Sequence, residues 1–412
     1  MKYDSIIIGG GLSGLVAGLS LISRQKKVAI FSLGQSALHF SSGSFGLLGS
    51  IDGKSVECPL DVFEALPSTH PYQRLGKDKV ASLSAGVKDF FAAAGIKLKG
   101  DERRNRTRIS PMGIAKPAWL TLDDFVTLED LEGKKKCTII NFKGFLDFYP
   151  GFLGERLENR GLKVNRGEIV LDPIEQLRKH TELRATTIGR ALKDADISRL
   201  AAQINAVAMD SDIVLVPAVI GYTSDKHFND LRAQVKAPLY AVATTPMSVC
   251  GMRMQTMLRR RFEQLGGTYF LGDQVTDGKF AADGRLESIA TVNLGDDRLY
   301  ASNFVLATGG FFGHGLEAEP KRIYEPVFGL DIDYPAEHDE WVERDFFAAQ
   351  PYMSFGLTTD SSFRPSLKGR TVPNLYAIGA VLGGYNALKE DSGAGVAILT
   401  AMNAAEQILK NN

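Results

Sequence analysis

The sequence predicts an α/β fold assembled from discontinuous segments, on three observations. A buried strand meets a glycine-rich turn and a helix at the very start, and two later strands, near residues 304–310 and 374–379, again run into glycines. Between them, residues 66–237 mix charged helical stretches with short apolar runs, the pattern of an inserted α/β domain.

The 412 residues suffice for one large split domain or two, with a substantial core. Hydrophobic residues at 44% and charged residues at 23% describe a globular chain. Glycine, with 42 residues, exceeds the usual share of about 7%, so the excess needs a local cause. Lys+Arg and Asp+Glu both number 48, and no long basic run offers nucleic acid or an anionic membrane a handle. Cys58, Cys137 and Cys250 are far apart and form no CxxC, which predicts no disulfide framework, no iron-sulfur or other metal site, and a reducing cytoplasm. Residues 5–23 carry no charge before Arg24, yet five glycines at 9, 10, 11, 14 and 18 favour a buried strand and helix over a membrane span.

Each element follows in order. Asp4-Ser-Ile-Ile-Ile-Gly9 reads as a buried parallel strand, residues 12–23 as its helix and residues 28–31 as a second strand, a β-α-β unit of roughly 30 residues. Residues 34–49, rich in Ser and Gly, read as a loop built for close approach. The insert holds a charged helix over 77–94 and strands near 138–141, 168–171 and 212–216. A helix over 248–264, ended by Gly266-Gly267, leads to strands through Val275 and at 288–292 and 298–300, with turns at Asp283-Gly284 and Gly295-Asp296: a β-meander. A helix over 393–409 closes the chain, so the domains expected are 1–65 with 238–412, and 66–237.

Gly9-Gly10-Gly11-Leu12-Ser13-Gly14 satisfies GxGxxG between strand and helix. Gly9 permits the turn, Gly11 lets backbone approach a phosphate, Gly14 allows close packing, and the helix start offers free N–H groups. This makes the fold a Rossmann-like FAD/NAD(P)-binding one. The fingerprint then breaks: the second strand ends at Ser32, where a dinucleotide site wants an acid for the ribose, and no Asp or Glu occurs between Ser5 and Ile51. A mononucleotide such as FMN is therefore as well suited as FAD. Near the C-terminus, Gly379-Ala380, Gly383-Gly384 and Ser392-Gly393-Ala394-Gly395 before the last helix can aim a second helix start at a flavin ring, where its dipole stabilises the charge of reduction. The expected cofactor site is residues 9–14 with Ser41-Ser42-Gly43, Thr308-Gly309-Gly310, Gly379-Ala380, Gly384 and Gly393-Ala394-Gly395.

Residues 34–44 (Gly-Gln-Ser-Ala-Leu-His-Phe-Ser-Ser-Gly-Ser), Phe355-Gly-Leu-Thr-Thr-Asp360 with Arg364-Pro365, and residues 374–384 closely resemble the B subunits of anaerobic glycerol-3-phosphate dehydrogenases. More distantly, the chain is similar to the fumarate reductase and succinate dehydrogenase flavoproteins. The resemblance is strongest over 1–50 and 300–400, with Pro246-Met-Ser-Val-Cys-Gly-Met-Arg253 also fitting. It implies oxidation of sn-glycerol 3-phosphate to dihydroxyacetone phosphate with electrons passed to quinone, and FMN as the cofactor of this component. It also implies two partners, a larger flavin-containing dehydrogenase component (the A subunit) and an iron-sulfur, membrane-contacting component (the C subunit), with recruitment to the inner face of the cell membrane. Two alternatives stand beside it: a standalone FAD oxidoreductase of fumarate-reductase type, disfavoured by Ala380 where that group has Glu, and an electron-relay or docking component.

The catalytic residues are not identified by pattern. Alcohol oxidation needs a base, and a phosphate dianion needs cations. His39, in the 34–49 loop, and His314, after the Gly309-Gly310 pair, are candidate bases; Arg253 and Arg364 are candidate phosphate ligands, with ordinary packing or ion pairing the competing role for each.

Overall fold

The structure is a computed structural model and describes residues 2–411. Its central sheet places Thr268–Leu271, Val28–Ser32, Lys2–Ile8 and Leu299–Leu306 side by side and parallel. Ile6 and Ile7 on the first strand are fully buried, as an apolar run covered on both faces requires. Each such side chain contributes about 1.5–3 kcal/mol by leaving water. The helix Leu12–Ile22 packs between Val249–Gln264 and Gly393–Lys410. Gly18 allows that fit, since a Cβ there would stand 2.7 Å from Ile30 and 3.1 Å from Phe262.

The sheet forks at Leu299–Leu306. Its first residues pair antiparallel with Leu286–Thr291, which continues the meander to Val275–Phe280, while Phe304, Val305 and Leu306 pair parallel with Leu375–Ala377. Asn374 holds the two branches together: its Nδ2 donates to the Leu286 carbonyl at 2.8 Å and its Oδ1 accepts the Leu286 N–H at 2.9 Å. The expected strands at 298–300 and 304–310 are thus one. Ser302 and Asn303 interrupt its apolar run, but pairing with Lys2–Ile8 along almost its whole length keeps it extended.

A second sheet, all parallel, orders Lys163–Ile169, Lys136–Phe142, Ile213–Pro217 and Leu239–Val242. Its last strand lies past residue 237, where composition suggested a boundary. Its edge strand covers 163–169 rather than 168–171, because an exposed edge tolerates Lys, Asn, Arg and Glu that hide the pattern. The helix expected over 77–94 is two, Lys77–Ala85 and Val87–Ala92, divided at Gly86. A small antiparallel sheet joins Ser44–Phe45 to Leu120–Leu122 and Leu98–Gly100, tying the 34–49 loop to residues 98–122.

Candidate functional site

The GxGxxG turn has the geometry its glycines suggested. Gly9 takes φ +116°, and a Cβ on it would overlap the Ala307 carbonyl; one on Gly14 would overlap the Gly9 carbonyl. Gly11 differs. Its backbone, φ −79° and ψ −169°, is open to any residue, and a Cβ there would meet only Ser36 at 3.7 Å. The helix Leu12–Ile22 starts with no side-chain cap and no acid in its first turn, so the N–H groups of Leu12, Ser13 and Gly14, which no intrahelical bond can use, lie at the positive end of the dipole. An uncapped helix start of this kind is the geometry in which backbone N–H groups can receive an anion.

The other glycine segments converge on it. A Cβ on Gly379, at φ +71°, would lie 2.8 Å from Ser13 Oγ, and one on Gly310 would lie 2.9 Å from the Ala380 carbonyl. Thr308 Oγ1 is buried with no hydrogen-bond partner, an unmet polar group in this ring of loops. Gly309, at φ +86°, makes the turn beside it. Gly46 accepts the Gly395 N–H at 2.8 Å, and Gly49 donates to the Glu390 carbonyl at 2.7 Å, so the 34–49 loop and the start of the last helix are stitched together. Gly395 therefore spends its N–H on protein, while Gly393 and Ala394 begin a helix with no side-chain cap and no acid in its first turn. Ser41 Oγ accepts the Gly43 N–H at 3.2 Å, Ser42 and Ser44 hydroxyls are 2.8 Å apart, and the Phe125 ring sits against Gly43. Gly384, at φ +85°, donates to the Ser354 carbonyl at 2.9 Å.

His70 braces this ring and was not visible in the sequence pattern. It is fully buried; its Nδ1 accepts the Tyr72 N–H at 2.9 Å, so the proton sits on Nε2, which donates to Glu390 Oε2 at 3.1 Å. Burial pushes the Glu390 carboxyl up, but the bonds from His70, Asn386 and Ser392 more than offset that and hold it below the usual range.

The second strand ends at Ser32, buried, with its hydroxyl donating to the Gly34 carbonyl at 3.0 Å. Tyr269 stands over it: its hydroxyl donates to the Gly10 carbonyl at 3.2 Å, and a Cβ on Gly10 would overlap both that hydroxyl and Ser32. Arg259 stacks on the same ring at 4.7 Å. The space between turn and strand end, where an adenosine ribose meets its carboxylate in a dinucleotide site, is thus lined by a phenol and a satisfied serine. Tyr269 lies 237 positions from Ser32, and no spacing rule would have joined them.

Of the residues proposed for chemistry, His39 is 8% exposed, and its Nδ1 has no hydrogen-bond partner. Burial lowers its pKa, with Gln255 opposing in part, which keeps the ring neutral at pH 7. His314 sits on the surface, 77% exposed and 3.9 Å from Glu317. Arg253 is buried, bonded to Asp124 at 3.0 Å and to the Gly221 carbonyl at 3.4 Å. Burial would lower its pKa, but the Asp124 charge more than offsets this. Arg364 is paired with Asp360 at 2.8 Å. Arg74, missed from sequence, reaches the same turn, bonding Thr359 Oγ1 at 2.7 Å and the Asp360 carbonyl. The two arginines picked out from sequence are therefore committed to carboxylates of the protein. No helix among the described residues is long and apolar enough to cross a membrane.

Comparison with known proteins gives this geometry a family. Residues 4–396 match the FAD binding domain family. The chain is 38% identical to the B subunit of the anaerobic glycerol-3-phosphate dehydrogenase of Pectobacterium atrosepticum over 418 residues, 100% of this chain and 99% of that one. It is 35% identical to the protein of the same name from Vibrio vulnificus, covering 99% and 97% of the two. Among solved structures it is similar to 3-ketosteroid Δ1-dehydrogenase from Sterolibacterium denitrificans, at 12% identity and a TM-score of 0.47 over 100% of both chains. The uncapped helix start, the converging glycine loops and the full-length match lead to one conclusion: this chain is a flavoprotein of the FAD binding domain family, and within it belongs to the B subunits of anaerobic glycerol-3-phosphate dehydrogenases.

Proposed function

We propose that this chain serves as the B subunit of a complex that oxidises sn-glycerol 3-phosphate to dihydroxyacetone phosphate and passes the electrons to quinone. The full-length match to relatives of that name carries the reading. Residues 1–65 and 238–412 would form the flavin-binding part, apart from the strand Leu239–Val242, which joins the sheet of residues 66–237, the insert that would cover the flavin or meet a partner. Its partners would be the flavin-containing A subunit and the iron-sulfur C subunit, the latter holding the complex at the inner face of the cell membrane.

The cofactor in this reading is FMN. The support is local: Ser32 offers no carboxylate, and Tyr269 lines the place an adenosine would need. When bound, the flavin supplies the two-electron acceptor. The chain's part is to hold it: the N–H groups of Leu12, Ser13 and Gly14 take the phosphate, Gly11 lets it approach, and the segments at Ser41-Ser42-Gly43, Thr308-Gly309-Gly310, Gly379-Ala380, Gly384 and Gly393-Ala394-Gly395 enclose the rest. His39 is the candidate proton acceptor, neutral through burial and free at Nδ1.

A second reading is an electron-relay component whose flavin never meets the substrate. It is favoured by the pairing of Arg253 with Asp124 and Arg364 with Asp360, which removes both proposed cations from a substrate phosphate. Anaerobic addition of sn-glycerol 3-phosphate to the flavin-loaded chain separates the two. Bleaching of the flavin absorbance by this chain alone supports substrate oxidation here; bleaching only after the partner chains are added supports the relay and rejects turnover by this chain.

A further inference from the structure

Two adjacent phenylalanines stand almost free of the protein. Phe346 is 84% exposed and Phe347 82%, with their rings edge to face at 5.4 Å. An isolated exposed apolar residue is ordinary, but a contiguous exposed cluster calls for an occupant. This pair is not on a loose tail. Asp345 Oδ1 accepts the Phe347 N–H at 2.9 Å, the Asp345 carbonyl accepts from Ala348 and from Gln350 Nε2, and Gln350 Oε1 accepts the Glu343 N–H at 2.9 Å. At the base, Trp341 is buried, donates to the Pro335 carbonyl at 2.8 Å and packs on Tyr334. The chain thus builds a braced tip that presents two rings outward.

The tip lies beside the flavin-site loops. Lys389, next to the exposed Leu388, donates from Nζ to the Phe347 carbonyl at 3.2 Å, and the Tyr352 ring meets Phe311, the neighbour of the exposed Phe312. Around the rings, residues 336–347 carry five acids, Glu337, Asp339, Glu340, Glu343 and Asp345, against one arginine, Arg344. None of these acids forms an ion pair among the described residues.

We infer that Phe346 and Phe347 form a docking point for a partner protein chain, one that presents an apolar pocket rimmed by lysines and arginines, next to the flavin. This rests on the reading of the chain as one component of a complex. Aromatic anchors buried at the centre of an interface with a charged rim are the arrangement that carries binding energy and steers association. A bilayer would also cover two phenyl rings, but the acidic rim has the wrong sign for an anionic leaflet, which attracts lysine and arginine.

The test uses the flavin-loaded chain and the remaining chains of the same complex, co-expressed. Phe346→Ser with Phe347→Ser should keep the flavin content and weaken assembly on the order of thirtyfold or more per ring. Glu340→Lys with Glu343→Lys should slow association and reduce its salt dependence. A photo-crosslinking residue placed at 346 should capture another chain of the complex, a result that holds even where the serine variant folds poorly. Unchanged assembly of the serine variant would overturn the docking point while leaving the assignment to the complex intact. Crosslinking to a second copy of this chain, or loss of binding to phosphatidylglycerol-containing vesicles in the serine variant, would overturn it in favour of self-association or lipid. Failure of the wild-type chain to assemble with those partners would overturn both the docking point and the assignment to the complex.

Discussion

Gly11→Ala separates the cofactor role of the N-terminal turn from its role in folding. Gly11 sits in extended backbone that alanine adopts without strain, and its added methyl would have 3.7 Å to Ser36. As an N-cap, alanine is worse than glycine by up to about 1 kcal/mol, and a stiffer unfolded chain returns about 0.4–1 kcal/mol, so the apoprotein should change by less than about 1 kcal/mol. In the proposed cradle the methyl would stand where a phosphate approaches the helix start, displacing a hydrogen bond to a charged group that contributes about 1.5–3 kcal/mol. Flavin affinity should therefore fall about ten- to a hundredfold. Gly9→Ala is the contrast: strain at φ +116° costs about 1–3 kcal/mol and collision with the Ala307 carbonyl about as much again, a large share of a typical stability of about 5–15 kcal/mol. Urea unfolding of the apoproteins and fluorescence titration with flavin measure the two effects. A Gly11→Ala protein that binds flavin as tightly as wild type, or whose apoprotein loses several kcal/mol, would refute the reasoning.

Three further outcomes are expected. Arg253→Met leaves the Asp124 carboxylate buried and alone, which should cost about 3–5 kcal/mol in urea unfolding, and adding Asp124→Asn should recover part of it. Brief alkylation of the native chain, read by mass spectrometry, should label Cys58 alone: Cys137 and Cys250 are buried, and burial pushes their thiols up to about 12 and about 11. Because burial lowers the His39 pKa, the unfolded chain takes up its proton first; its stabilising effect is complete above about pH 6.5 and is lost as pH falls through the lower folded value. The unfolding free energy of His39→Gln should accordingly fall less than that of wild type between about pH 7.5 and about pH 5.5.

The strand-turn-helix at the start was legible because its function is local: an apolar run, three spaced glycines and a helix start lie within residues 4–23. The glycines at 309, 379 and 384 were legible for a similar reason, since positive φ leaves few alternatives to glycine. What joins these pieces was not. Tyr269 over Gly10, His70 under Glu390 and Gly46 against Gly395 each link positions more than 250 residues apart, and no periodicity encodes such pairs. The arginines show the converse. Their residue type suits a phosphate, but Asp124 and Asp360, supplied by tertiary structure, already occupy them. The edge strand Lys163–Ile169 escaped for a third reason, as solvent on one side removes the apolar signal by which strands are read.

The proposed cradle at Leu12, Ser13 and Gly14 would hold a flavin phosphate beside a strand end with no adenosine anchor. Release of the cofactor from the purified chain by acid, followed by chromatography and mass measurement, tests it most directly. The expected product is FMN. FAD would show that an adenosine finds room beside Tyr269 and Ser32 and would contradict the mononucleotide reading, and a chain that takes up no flavin, alone or with its partner chains, would contradict the cradle itself.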